Sequence, residues 1–226
     1  QFEAVERVSQ DRGLESADLA LVTDGLRSER EQGITIDVAY RYFATEKRTF
    51  ILADCPGHVQ YTRNTVTGSS TADALVVLVD IRHGIQEQTR RHLAVASLLR
   101  VPHVIVAINK IDLVSYDESA FTRIAHDIET VAEALGLEDI QSIPVSALRG
   151  DNVVERSTST AWYEGPSLLE LLETLPLAKA EARLPLAFPV QLVIRPQSSA
   201  APEFRDYRGY AGRITAGSAR VGDEVT

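Results

Sequence analysis

The stretch His103–Asp112, HVIVAINKID, decides how this chain is read. Its first six residues form a continuous apolar run, as expected for a strand buried on both faces. The polar cluster Asn109-Lys110-Ile111-Asp112 follows at that strand's carboxyl end. Working outward, Ala74–Val79 (ALVVLV) is a second such run, and Gln88–Leu99 between the two has the pattern of an amphipathic helix. Ser119–Leu135 reads as a helix stopped by Gly136, Ser142–Val145 as a short strand, and Ser167–Leu175 as a last helix. Strands alternating with helices imply parallel pairing through right-handed crossovers, an α/β doubly wound layer.

Upstream the rhythm differs. Ile34–Ala44 (ITIDVAYRYFA) alternates apolar and polar residues, which predicts a strand. Arg48–Ala53 predicts a second, and the short turn Thr45-Glu46-Lys47 makes the two an antiparallel hairpin. Residues 1–32 look helical and charged, interrupted at Gly13. Downstream, an Ala- and Pro-bearing linker leads into Val190–Arg195 and Gly-punctuated short strands of all-β character. The expected organisation is a nucleotide-binding domain over 1–178, a linker over 179–188 and the start of a small β-barrel over 189–226. The chain contains no Met, opens in a helical pattern and stops at Thr226 in strand-like sequence, so it reads as an internal piece of a longer protein.

Composition sets limits. Hydrophobic residues make up 44% and charged residues 24% of 226, enough apolar content for a packed core. No apolar run approaches the roughly 18 residues needed to span a bilayer, and no signal-peptide pattern opens the chain. One cysteine excludes an internal disulfide framework and fits a reducing cytosol, so cytoplasmic residence is expected. A net charge of −9 speaks against nucleic acid as the main partner, because phosphate contact needs a basic face.

In a doubly wound sheet, ligands bind beyond the carboxyl ends of the strands. Three polar clusters are expected there, at one edge of the sheet: Asp54-Cys55-Pro56-Gly57-His58, Asn109-Lys110-Ile111-Asp112, and Ser146-Ala147-Leu148. An Asp at a strand end can hold Mg²⁺ through water, and a following Gly lets a backbone N–H approach a phosphate. Asp112 offers two acceptor oxygens that match the N1–H and exocyclic amine of guanine and nothing on adenine. Asn109 can tie neighbouring loops, the Lys110 stem can lie along a purine face, and N–H groups at Ser146-Ala147 can donate to guanine O6. Each motif alone is an ordinary turn; their order and common placement give them weight. Cys55 has no obvious base beside its sulfur, which speaks against a thiol nucleophile. His83, His92, His103 and His126 show no paired spacing and read as surface or helix-packing residues.

Together with Gly33-Ile34-Thr35-Ile36, these runs resemble the translational-type GTPases, which implies a P-loop-NTPase-type G domain followed by a β-barrel. The resemblance makes Gly33–Ile36 the first switch, with the Thr35 hydroxyl on Mg²⁺ and its amide at the γ-phosphate of GTP. It also makes His58 the residue that orients the attacking water. That family needs Gly-x-x-x-x-Gly-Lys-Ser/Thr to cradle the phosphates. No such stretch occurs in these 226 residues, and the family carries it one helix before the first switch. Nucleotide binding by these residues alone is therefore expected to be poor.

Within the family, Glu29–Phe43, Pro56–Asp80 and Asp206–Arg213 resemble the GTPase subunits of sulfate adenylyltransferase. That resemblance implies a small adenylyltransferase partner subunit and GTP hydrolysis that drives formation of adenosine 5′-phosphosulfate from ATP and sulfate. An elongation-factor-type translational GTPase and a nucleotide-free scaffold with a G-domain fold are the alternatives.

Overall fold

The computed structural model describes Glu29 and residues 34–176, 185–195 and 206–225. The helical reading of 1–32, Gly33 and the linker core 179–184 lie outside the described residues. The chain divides into two units, Gln1–Pro176 and Leu177–Thr226.

In the first unit, β3 (Ala74–Asp80), β4 (His103–Asn109) and β5 (Ile140–Pro144) form a parallel sheet in the order β3-β4-β5. The register aligns Asp80 with Asn109 and Ile108 with Pro144, so the strands end level. Successive side chains of β4 point to opposite faces, and both faces are covered. Val104, Val106 and Ile108 pack into a core with Leu93, Ala96, Ile124, Ile128 and Val131, while Ile105 and Ala107 join Ile143, Val145, Leu171 and Leu175. That two-sided burial explains why the strand is apolar throughout.

The helices carry their own boundaries. α2 (Glu87–Leu99) starts at a capping box of Gln86 with Thr89, and α3 (Glu118–Leu135) starts where the Asp117 carboxylate accepts the Ser119 N–H at 2.9 Å. Gly136, at φ 68°, closes α3 in the left-handed region that glycine tolerates. Ile124, Ile128, Val131 and Ala132 form the buried stripe of α3. Truncating Ile128 to Ala would cost about 2–5 kcal/mol, the range for emptying a fully packed aliphatic position. α4 (Leu168–Thr174) opens on a reciprocal Ser167–Glu170 capping box.

The hairpin is antiparallel as expected, but shorter and separate. β1 (Ala39–Ala44) pairs with β2 (Thr49–Asp54), and Phe43 stacks on Phe50 at 4.7 Å. Residues 34–38 were expected in the strand; instead the Ile36 and Asp37 N–H groups donate to the Glu29 carboxylate at 3.0 and 3.1 Å, and the Ile36 carbonyl accepts Asn64 Nδ2 at 2.7 Å. These groups of Ile36 and Asp37 thus find side-chain partners in place of a strand. The single sheet edge expected for all three clusters also needs correction. Among the described residues β1 and β2 form a sheet of their own, apart from β3-β4-β5.

Side chains fasten the hairpin to the other layer. Arg48 donates to the Leu172 and Leu175 carbonyls at 2.8 and 2.9 Å, using the free acceptors at the end of α4, and Lys47 pairs with Glu173 at 2.8 Å. His103, at the start of β4, bonds the Asp139 carboxylate through Nδ1 and the Pro176 carbonyl through Nε2 at 2.8 Å. It is therefore an anchoring residue rather than a surface one. β2 and β4 both leave from this corner beside α4, and Asp54 and Asn109 are their far ends.

An unexpected helix, α1 (Thr62–Ser69), follows the Asp54–His58 loop. Tertiary contacts hold it: the buried Thr65 hydroxyl donates to the Pro56 carbonyl at 2.6 Å. In the second unit, β6 (Leu192–Ile194) pairs antiparallel with β7 (Gly209–Ala211), and Ala187 bridges Ala216. A Cβ on Gly212 would stand 2.2 Å from the Pro189 carbonyl oxygen, so this close backbone approach requires glycine.

Candidate functional site

The ends of β4 and β5 bring two of the clusters into contact. Asn109 Oδ1 accepts the Lys110 N–H at 2.7 Å and the Ala147 N–H at 3.0 Å. The Ile111 N–H donates to the Val145 carbonyl at 3.2 Å and Val145 returns a bond to Ile108 at 2.9 Å. Ile111 is fully buried and fixes the loop from below. Lys110 has φ 66° and ψ 32°, a left-handed conformation that costs a non-glycine residue energy and persists only where neighbours impose it. Asp112, with a side chain only 7% exposed, has Arg149 Nε at 3.7 Å from Oδ2.

The third cluster has its own scaffold. Buried Ser146 bridges Asp151, whose carboxylate accepts the Tyr116 hydroxyl at 2.8 Å and the Ser157 hydroxyl at 2.6 Å. Asn152, also buried, donates to the Pro144 carbonyl and the Thr160 hydroxyl, both at 2.8 Å, and accepts the Ser157 N–H at 2.7 Å. These bonds spend one expected donor: the Ser146 N–H goes to the Asp151 carbonyl at 3.1 Å. The Ala147 N–H is likewise used, donated to Asn109 Oδ1 at 3.0 Å. Leu148, next along, is exposed.

Asp54, Cys55, Pro56, Gly57 and His58 lie at the end of β2 on the hairpin sheet. Pro56 is buried, while Gly57 and His58 are exposed. His58 caps the short turn Val59–Tyr61: its Nδ1 accepts the Gln60 N–H at 3.3 Å, so Nε2 is the ring nitrogen that the cap does not use. Burial pushes the Cys55 thiol up, with the Asp54 charge adding to it, so the sulfur stays protonated and is a poor nucleophile. Thr35 is half-buried in the segment held by Glu29 and Asn64. Among the described residues no group of three or more His, Cys, Asp or Glu side chains gathers in a way that could hold a metal ion.

Sequence reasoning missed Asp80, Arg82 and Arg149. Asp80 receives Arg82 and Lys110 together, and the Arg82 guanidinium, with Lys110 behind it, holds its carboxyl well below the usual carboxylate range. A carboxylate ending the strand next to Asn109 was the available signal.

The family model described as the elongation factor Tu GTP binding domain matches residues 3–178. The bifunctional enzyme CysN/CysC of Mycobacterium tuberculosis is 56% identical over 225 residues, covering 100% of this chain and 36% of that protein. Sulfate adenylyltransferase subunit 1 of Laribacter hongkongensis is 54% identical, covering 100% of this chain and 46% of its own length. The chain thus spans less than half the length of these two relatives. Among solved structures, the Saccharomyces cerevisiae Ski7 GTPase-like domain shares the fold with a TM-score of 0.66 at 21% identity, over 87% of this chain and 48% of that one. Sup35 complexed with GMPPNP gives a TM-score of 0.52 at 27% identity, over 78% of this chain and 42% of its own. With the family model covering residues 3–178 of its 226, this chain belongs to the family of the elongation factor Tu GTP binding domain.

Proposed function

We propose that this chain is the guanine-nucleotide-binding part of a sulfate adenylyltransferase GTPase subunit. The observation that carries the base-reading half is the Asn109–Ala147 bond, which joins the loop bearing Asp112 to the loop Ser146-Ala147-Leu148. Asp112 then accepts guanine N1–H and the exocyclic amine, the Lys110 stem walls the site above the buried Ile111, and the Leu148 N–H serves O6. The names of the relatives carry the sulfate half. The organisation into 1–178, 179–188 and 189–226 belongs to the same reading.

At the phosphate end, Gly57 supplies a backbone N–H to the γ-phosphate and His58 orients the attacking water through Nε2, the nitrogen its cap leaves unused. Catalysis of this kind is positioning plus charge stabilisation. Thr35 and Asp54 are hard oxygen donors, and Mg²⁺ favours one or two such protein oxygens beside water and phosphate. When bound, Mg²⁺ neutralises phosphate charge. Loss of the γ-phosphate would release the Thr35 segment, which hydrogen bonds to Glu29 and Asn64 now hold.

The proposed partner is the small adenylyltransferase subunit, with GTP hydrolysis driving adenosine 5′-phosphosulfate formation in the cytoplasm. No helix among the described residues is long and apolar enough to cross a membrane. The deciding experiment is GTPase activity of the full-length protein with and without its co-purified partner, ATP and sulfate. Stimulation by all three together supports the reading, and GTP turnover indifferent to them rejects the sulfate half. Stimulation by ribosomes instead would make it a translation factor.

A further inference from the structure

Asp80 ends β3 level with Asn109 and collects donors from two directions. Its Oδ1 accepts the Arg82 N–H and Arg82 Nε, both at 3.0 Å; its Oδ2 accepts Arg82 Nη2 at 2.6 Å and Lys110 Nζ at 2.9 Å. His83 Nδ1 stands 3.6 Å from the same oxygen. With its side chain 19% exposed, the Asp80 carboxylate is better shielded from solvent than a typical surface ion pair. Arg82 grips both oxygens and so fixes the plane of the carboxylate, and Lys110 shares Oδ2 with it.

Lys110 is pinned at its backbone by the Asn109 side chain and is followed by the anchored Ile111. Its four-carbon stem is another matter, because a free lysine side chain has much rotamer freedom to lose. Among the described residues the ammonium–Asp80 contact holds the far end of that stem.

We propose that Asp80 is a positioning residue that tethers the Lys110 ammonium and so orders the lysine stem along the wall of the base site before nucleotide arrives. This rests on the guanine-reading role of Asn109–Asp112 proposed above and adds a residue from outside that motif. The benefit is preorganisation: ordering one long side chain in advance removes that cost from binding. The role is separable from shaping the local turn. The His83 and Gly84 N–H groups bond the Asp80 backbone carbonyl at 3.0 and 2.9 Å, and these bonds survive a change of side chain.

The test measures GDP affinity and thermal midpoint for the full-length protein carrying Asp80→Asn, Lys110→Met, or both. Each single change is expected to weaken GDP binding about three- to tenfold, the cost of ordering one such side chain. The double variant is expected to bind no more weakly than Lys110→Met alone, because Asp80 acts through Lys110. Additive losses, or wild-type affinity in Asp80→Asn, would overturn the inference. Asp112→Asn run in parallel separates the two readings. A shift toward xanthine with Asp80→Asn unaffected sinks only Asp80, whereas an unchanged guanine preference sinks the base site itself. Should Asp80→Asn fail to fold, Lys110→Arg against Lys110→Met asks the same question. An arginine can still reach Asp80, so retained affinity in Lys110→Arg supports the tether and equal loss in both overturns it.

Discussion

The side-chain oxygen of Asn109 accepts the Ala147 N–H at 3.0 Å and thereby joins two loops that lie 38 residues apart in sequence. The same oxygen accepts the Lys110 N–H. Asn109 is thus a structural hinge-pin of the site, whatever it contributes to a ligand directly.

Asn109→Ala removes two hydrogen bonds and frees the Ala147 loop. The expected cost is about 1–3 kcal/mol of stability, at roughly 0.5–1.5 kcal/mol per bond. Guanine-nucleotide affinity should fall with it. Urea unfolding and calorimetric titration of the full-length protein check both, and a variant stable yet as tight as wild type contradicts the tie.

Asp112→Asn replaces two acceptors with one acceptor and one donor. Xanthine presents a carbonyl where guanine carries its exocyclic amine, so the exchanged pattern suits it. Preference should move from guanine toward xanthine nucleotides by roughly 10–100-fold, the worth of a bond to a charged group. Competition between GDP and XDP reads this directly; an unaltered ratio removes Asp112 from base reading.

How much of this was legible beforehand depended on where each residue's partners sit. Val104 to Ile108 announced a strand because both faces are covered, so every position had to be apolar. Helix α1, with the sequence TRNTVTGS, gave no such signal, because Thr65 satisfies its hydroxyl on Pro56 and tertiary contacts outweigh its weak propensity. Residues 34–38 alternated like a strand, yet the carboxylate that meets their N–H groups is Glu29. The motif Asn109–Asp112 was readable from its own four residues. Asp80 was not, since its meaning comes from Lys110, 30 positions later and adjacent only once β3 and β4 pair.

Asp80 also makes a prediction about acid. Its folded-state carboxyl is held below the ordinary value by Arg82 and then Lys110. The stabilisation is therefore present above the unfolded-state value of about 3.9 and disappears as pH falls through that value and below. Asp80→Asn should flatten the acid limb of the stability curve and cost on the order of 1–3 kcal/mol near neutrality. Chemical unfolding midpoints between about pH 2 and 7 test it; parallel curves for variant and wild type would exclude the effect.

His58→Ala should leave nucleotide binding intact and lower GTP turnover roughly 10²-fold, the scale of losing one positioned proton-handling group. The side chain is exposed and caps only a three-residue turn, so folding should survive. Binding and single-turnover hydrolysis measured on one preparation separate the outcomes. Turnover at the wild-type rate would remove His58 from the mechanism.

Gly68→Ala probes how the phosphate-end loop is seated. A Cβ at that position would lie 2.3 Å from Cys55 Sγ and 3.3 Å from Val38 Cγ1. Overpacking of this kind costs about 1–3 kcal/mol. The sulfur must move, and Cys55 sits between Asp54 and the Gly57-His58 pair, so the strain should lower turnover as well as stability. Cys55→Ala in the Gly68→Ala background removes the nearest clashing atom, and most of the lost stability and turnover should return. The two changes are in direct contact, so their effects should couple rather than add. Additive losses would mean that Gly68 is required for helix α1 itself and not for the close approach of Cys55.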